Sequence, residues 1–128
     1  VTDTAAELTD RADELRAVAD RISAVFGASP TVTMNERLDC DPAEPGRTFR
    51  WEYNVRVPAT LESAQRLADS VIPALTEDGW TVTNRDSPAE VAAQFSRDGS
   101  YLGVHIARSG AGDVVVGGAT PCIDVVER

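Results

Sequence analysis

Between Phe49 and Val57 apolar and polar residues alternate without a break. Phe49, Trp51, Tyr53, Val55 and Val57 fall on one side, and Arg50, Glu52, Asn54 and Arg56 on the other. A period of two over nine residues predicts a strand with one buried face and one wet face. Each large side chain sunk in a core adds roughly 1.5–3 kcal/mol, so this strand is expected to anchor the domain. Residues 4–27 follow a helical period instead. Leu8, Ala12, Leu15, Val18 or Ala19, Ile22, and Val25 or Phe26 form the apolar stripe. Thr4 and Glu7 have the spacing of a capping box, and Gly27 and Pro30 end the helix.

A first strand is predicted over Thr31–Leu38, with Val32 and Met34 on one face. The segment DCDPAEPGR after it is a turn-rich, acidic loop. Asp39, Asp41 and Glu44 there lack the glycine and terminal glutamate of a calcium loop, so they read as loop acids. Thr60 begins a second helix that runs to about Glu77, with Leu61, Ala64, Leu67, Ala68, Val71 and Leu75 as its stripe. Pro73 lies inside it and is expected to kink it. Beyond Gly79 come a third strand (Trp80, Val82, Asn84) and a fourth (Val91, Ala93, Phe95). Asp98–Gly99 signals a tight hairpin. Leu102, Val104 and Ile106 then face the core of a fifth strand, and DVVVGGAT forms a sixth after a turn at Gly110–Gly112. The expected architecture is a single α+β domain over residues 1–128, of order αββαββββ. Two helices pack on one face of a mainly antiparallel sheet, because short loops between the last four strands favour a meander.

Composition narrows the class. With 21 acidic residues against 12 basic ones the net charge is −9, which disfavours nucleic-acid binding and charge-driven adsorption to anionic lipid. All of the basic residues are arginine, which reads as a genomic composition bias. No apolar run approaches the ~20 residues of a transmembrane helix. The sequence begins at Val1 rather than Met, and the expectation is a trimmed form whose targeting region has been removed. Cys40 and Cys122 lie far apart, without a C-x-x-C, and with one histidine they cannot complete a zinc site. A disulfide is the expected pairing, which implies an oxidising compartment and roughly 4–5 kcal/mol of stabilisation in the chain-entropy model.

The order of signals resembles a known group. LRAVADRISAVFG is followed by a loop cysteine, SAQRLADSVIPAL runs into EDGW, and a glycine-punctuated hairpin leads to a terminal GGATPC. This resembles the small secreted lipoproteins of actinobacteria, of the mycobacterial LppA type. The resemblance implies a signal peptide and lipid-modified cysteine upstream of Val1, hence an extracytoplasmic location, secreted or anchored to the outer face of the membrane. It carries over no chemistry and no site residue.

Catalytic signals are weak. His105 is the single imidazole, no G-x-S-x-G accompanies it, and neither Ser96 nor Ser100 has a recognisable context, so it reads as structural. Gly117–Gly118 and the glycines at 110 and 112 neither open a helix nor precede Lys-Ser/Thr, and read as strand-end and turn glycines. No cofactor is implied. The remaining candidate is the wet sheet face. Arg50, Glu52, Asn54 and Arg56 share it with Gln94, Tyr101 and His105 if the strands are neighbours. Such a set can bind a carboxylate, a phosphate or a partner protein; the ordinary alternative is a solvated face with cross-strand ion pairs. Trp51 and Trp80 are expected in the core, or lining a pocket between helix and sheet. The expected function is a non-catalytic, monomeric, extracytoplasmic binding domain for a protein or small ligand. A lipid carrier with a cavity between helices and sheet is one alternative. An inhibitor or immunity-type protein that steers onto a basic partner is another.

Overall fold

The computed structural model describes residues 4–27 and 29–125, with side chains from residue 6. The proposed capping side chain of Thr4 lies outside the described residues. Helix α1 spans Thr4–Val25. Strands β1 (Thr31–Asp39) and β2 (Thr48–Pro58) follow. Helix α2 runs in three pieces, Ser63–Arg66, a π turn Leu67–Val71, and Ile72–Glu77. Then come β3 (Thr81–Asn84), β4 (Glu90–Arg97), β5 (Ser100–Ala107), β6 (Asp113–Ala119) and a short β7 (Ile123–Asp124). The expected α+β order holds, with β7 added at the end. Among the described residues the strands form one seven-stranded sheet, ordered β1-β2-β6-β5-β4-β3, and β7 pairs with the start of β2. Every pairing is antiparallel.

Both helices cover one face. Leu15, Ile22, Leu67 and Leu75 from the helices meet Val55, Val57, Phe95, Leu102, Val104, Ile106, Val114 and Val116 from the sheet, all essentially inaccessible to water. The alternation along β2 is as expected from Tyr53 onward. At its start Phe49 and Trp51 are half-buried instead of core. The reason is what lies above them: the Arg37 guanidinium covers Phe49 at 4.2 Å and Arg16 covers Trp51 at 5.2 Å. The Trp51 indole also donates to Asn35 Oδ1 at 2.7 Å. Trp80 does enter the core, beneath Arg97.

Three further expectations need correction. A bulge between Val32 and Met34 puts Val32 opposite Val55, on the helix-covered side, and Met34 opposite Asn54, on the other. They do not share a face, and Val32 is half-exposed on this edge strand. Leu61 and Ala68 are exposed, not part of the stripe of α2. Leu61 precedes the first helical turn and lies against Gly110. Pro73 does not simply kink the helix. It sits just after the π turn, where the Ile72 N–H reaches back five residues to the Leu67 carbonyl, a widening that absorbs the missing donor and the ring. The start of α2 is held as expected by Thr60, whose hydroxyl accepts from the Glu62 N–H while Ser63 Oγ accepts from the Thr60 N–H.

The turns follow their chemistry. Asp98 (φ 50) and Gly99 (φ 83) make the tight β4–β5 hairpin. Cys40 and Cys122 are bonded, with Cα atoms 6.1 Å apart. The bridge ties the end of β1 to the β6–β7 link, on either side of the first residues of β2. That is where Phe49 and Trp51 are only half-buried.

Candidate functional site

The face away from the helices is read most easily across the strands. Cross-strand partners line up in rows. One row is Met34, Asn54, Gly117, Gly103, Gln94 and Thr83. Beside it run Arg56, Val115, His105 and Ala92, continued by Arg85, whose N–H donates to the Ala92 carbonyl. On the other side run Glu36, Glu52, Ala119, Tyr101 and Ser96. With strands about 4.8 Å apart, two adjacent glycines leave a gap in the side-chain layer roughly 10 Å across. The result is a shallow trough of about 280 Å³ around Glu52, Asn54, Arg56, Tyr101 and His105. It continues into a space of about 430 Å³ near Arg85, Glu90 and Gln94.

The glycines also set the polar groups. A Cβ on Gly117 would run into Asn54 Oδ1, and one on Gly103 would press on His105 Nε2 at 3.2 Å. Without those atoms, the Asn54 amide and the His105 ring lie down over the sheet. The ring is steered by Glu90, whose Oε1 is 3.1 Å from Nδ1, leaving Nε2 over Gly103. Gly118 plays a different part. A Cβ there would meet the Tyr101 carbonyl, so it permits close approach of β5 and β6.

Of the residues expected on this face, Glu52, Asn54, Arg56, Tyr101 and His105 gather around one depression, and Gln94 joins its extension. Arg50 is on the same face but outside the trough lining, ion-paired to Glu52 at 3.0 Å. Sequence reasoning did not single out Gly103, Glu90 or Arg85 as part of the site, and it read Gly117 as a strand-end glycine, whereas it lies within β6 opposite Asn54. Glycines inside two strands are the signal that was there to find, since a strand glycine marks a bulge or a close approach.

Polar groups around the trough are paired unevenly. Glu52 is held by Arg50, Glu90 Oε1 lies against His105 Nδ1, and Arg85 Nε donates to Gln94 Oε1 at 3.1 Å. Asp86, beside the extension, has its carboxyl held below the usual range by the Ala92 N–H first and the Asn84 amide second. Arg56 has no hydrogen-bond, ion-pair or ring partner among the described residues. Each of the other described arginines has one.

Other spaces are less complete. Beneath Trp80, whose indole N–H has no partner among the described residues, the crevice measures about 10 Å³, room for about one water. The space described beside Trp80 is thus far smaller than a ligand cavity. A lateral apolar groove of about 320 Å³ runs between α2 and β3–β4, lined by Leu67, Ile72, Val82 and Val91. The loop acids are used locally: Asp39 accepts from the Gly46 N–H, Asp41 from Ala43, and Glu44 pairs with Arg47. No group of three His, Cys, Asp or Glu among the described residues is arranged to hold a metal ion. No described helix is long and apolar enough to cross a membrane.

Two helices on one face of an all-antiparallel sheet, with a disulfide beside its first strands, define an α+β domain. The crystal structure of the putative lipoprotein LppA from Mycobacterium tuberculosis superimposes with a TM-score of 0.55 over 94% of this chain and 78% of that one, at 15% identity. The resemblance noted in the sequence thus extends to the fold. No family model matches the chain, and no curated protein matches it.

Proposed function

We propose that this chain is a non-catalytic binding domain of a cell-envelope lipoprotein, working outside the cytoplasm with its open sheet face as the binding surface. The trough carries the reading. Two facing glycines open it, and they let Asn54 and His105 lie in fixed positions within it. An ordinary solvated face needs neither device. The Cys40–Cys122 bond suits an oxidising compartment, and the structural neighbour is named as a putative lipoprotein. A binding role rather than catalysis fits His105, because no hydroxyl or thiol is hydrogen-bonded to its Nε2 among the described residues.

The test is a fragment screen against the 15N-labelled domain. Hits are expected to shift the amides of Gly103, Gly117 and their row neighbours. Hits confined to the α2–β4 groove would favour the carrier reading instead, with Leu67 and Ile72 moving first. A screen in which trough amides never move removes the proposal.

A further inference from the structure

The chain carries nearly two acids for each arginine, and the described arginines other than Arg56 all find a partner, a carboxylate or another group. Arg11 meets the Asp98 carbonyl and Ser100, Arg21 meets Asp78, Arg47 meets Glu44, and Arg66 meets Glu62. Arg56 alone among the described arginines is left unpartnered, and it is the one at the mouth of the trough. The nearest trough acids are already engaged, Glu52 by Arg50 and Glu90 by His105. Glu36 on β1 is opposite Glu52, two open-face positions along from Arg56, and does not line the trough. A free guanidinium presents a planar fork that matches a carboxylate bidentately. The next row holds the Asn54 amide, His105 Nε2 reaches over Gly103 in that same row, and Tyr101 stands on the far wall.

Resting on the binding role assigned to this face, we infer that the trough takes a small organic carboxylate whose neutral body bears hydroxyl or amide groups. Arg56 receives the carboxylate. Asn54 and His105 meet the polar body where the glycines leave room for it. Such a ligand comes from two sources with the same chemistry, a sugar acid or the carboxyl end of a short peptide. Its volume is limited by the roughly 280 Å³ of the main depression.

The experiment titrates the labelled domain with two matched pairs: glucuronate against glucose, and N-acetyl-dialanine against its C-terminal amide. In at least one pair the carboxylate is expected to bind about tenfold or more tightly than its neutral partner, in line with a charge-assisted hydrogen bond. Trough amides should report it, and the preference should weaken as salt rises. The pair that responds identifies the source. Arg56→Gln should abolish the preference, while Arg21→Gln, altering an ion-paired arginine of α1 that does not line the trough, should keep it. Unchanged melting temperatures for both variants exclude a folding artefact. Equal binding of neutral and charged partners on trough amides overturns the carboxylate inference and leaves the binding role standing. Binding that survives Arg56→Gln overturns the anchor. No shift from any of the four probes overturns the inference, and the binding role is then judged by the fragment screen.

Discussion

The two faces of this sheet are built by different rules. On the covered face, position along one strand decides everything: Tyr53, Val55 and Val57 alternate into the core, as do Leu102, Val104 and Ile106. Their identities are interchangeable within the limits of volume. On the open face, position along a strand says little, and the neighbour on the next strand says most. Gly117 matters because Asn54 lies beside it, and His105 because Glu90 and Gly103 do. Stability is concentrated on the first face, and the polar groups whose placement depends on their neighbours are concentrated on the second.

The comparison is tested most severely where β2 enters the covered face. At the start of β2, arginines cover Phe49 and Trp51 instead of apolar side chains, and the disulfide lies beside that end. Removing it with Cys40→Ser and Cys122→Ser should cost about 4–5 kcal/mol, since the closed loop is long. Chemical denaturation measures this. Hydrogen exchange should accelerate first at residues 48–51 and 122–124; uniform acceleration would refute a local role. Next in size, Phe95→Ala should cost about 3–5 kcal/mol, because a fully buried ring leaves a cavity. A loss below about 1 kcal/mol would mean that the core is looser than its burial implies.

A smaller effect comes from one polar group that the covered face tolerates. The Tyr53 hydroxyl donates to Asp20 Oδ1 at 2.7 Å, and burial, followed by that bond and the Asp20 charge, pushes its pKa up to about 12. An unfolded tyrosine titrates near 10. The unfolded chain therefore loses its proton first as pH rises. The contribution is complete below about pH 10 and is lost through about pH 12, at up to about 1.4 kcal/mol per unit. Tyr53→Phe should flatten this part of the alkaline stability curve; an unchanged slope would assign it to other groups.

Much of the covered face was legible in the sequence because hydrophobic period is a local property. The stripe of α1 and the alternation of β5 and β6 needed no partner to be read. Half of the open face was legible too, through its turns. Gly103 and Gly117 each lie seven positions from Gly110, and Gln94 and Gly103 each lie four from the Asp98–Gly99 pair, so the two hairpins fix those matches. The pairing of β2 with β6 is set by no turn. It depends on β2 entering the sheet from outside the meander, and with it went the contact of Asn54 with Gly117. The Val32–Met34 bulge and the arginine cover over Trp51 were hidden for the same reason: they depend on what another element supplies.

The two adjacent glycines of β6 put the contrast into a single pair of substitutions. In Gly118→Ala the new methyl meets the backbone carbonyl of Tyr101, which cannot move without parting β5 from β6. A loss of about 2 kcal/mol or more is expected, in the range of overpacking. In Gly117→Ala the obstacle is the end of the Asn54 side chain, which can rotate away at a cost below about 1 kcal/mol. The fold should persist while the Asn54 amide leaves its place over the sheet. Thermal melts of the two variants, with the Asn54 side-chain amide signals of Gly117→Ala, separate the cases. If Gly117→Ala unfolds the domain as readily as Gly118→Ala, both glycines serve packing and the open face owes nothing to ligand binding. If it leaves stability intact but displaces Asn54, Gly117 is retained for what lies above the sheet.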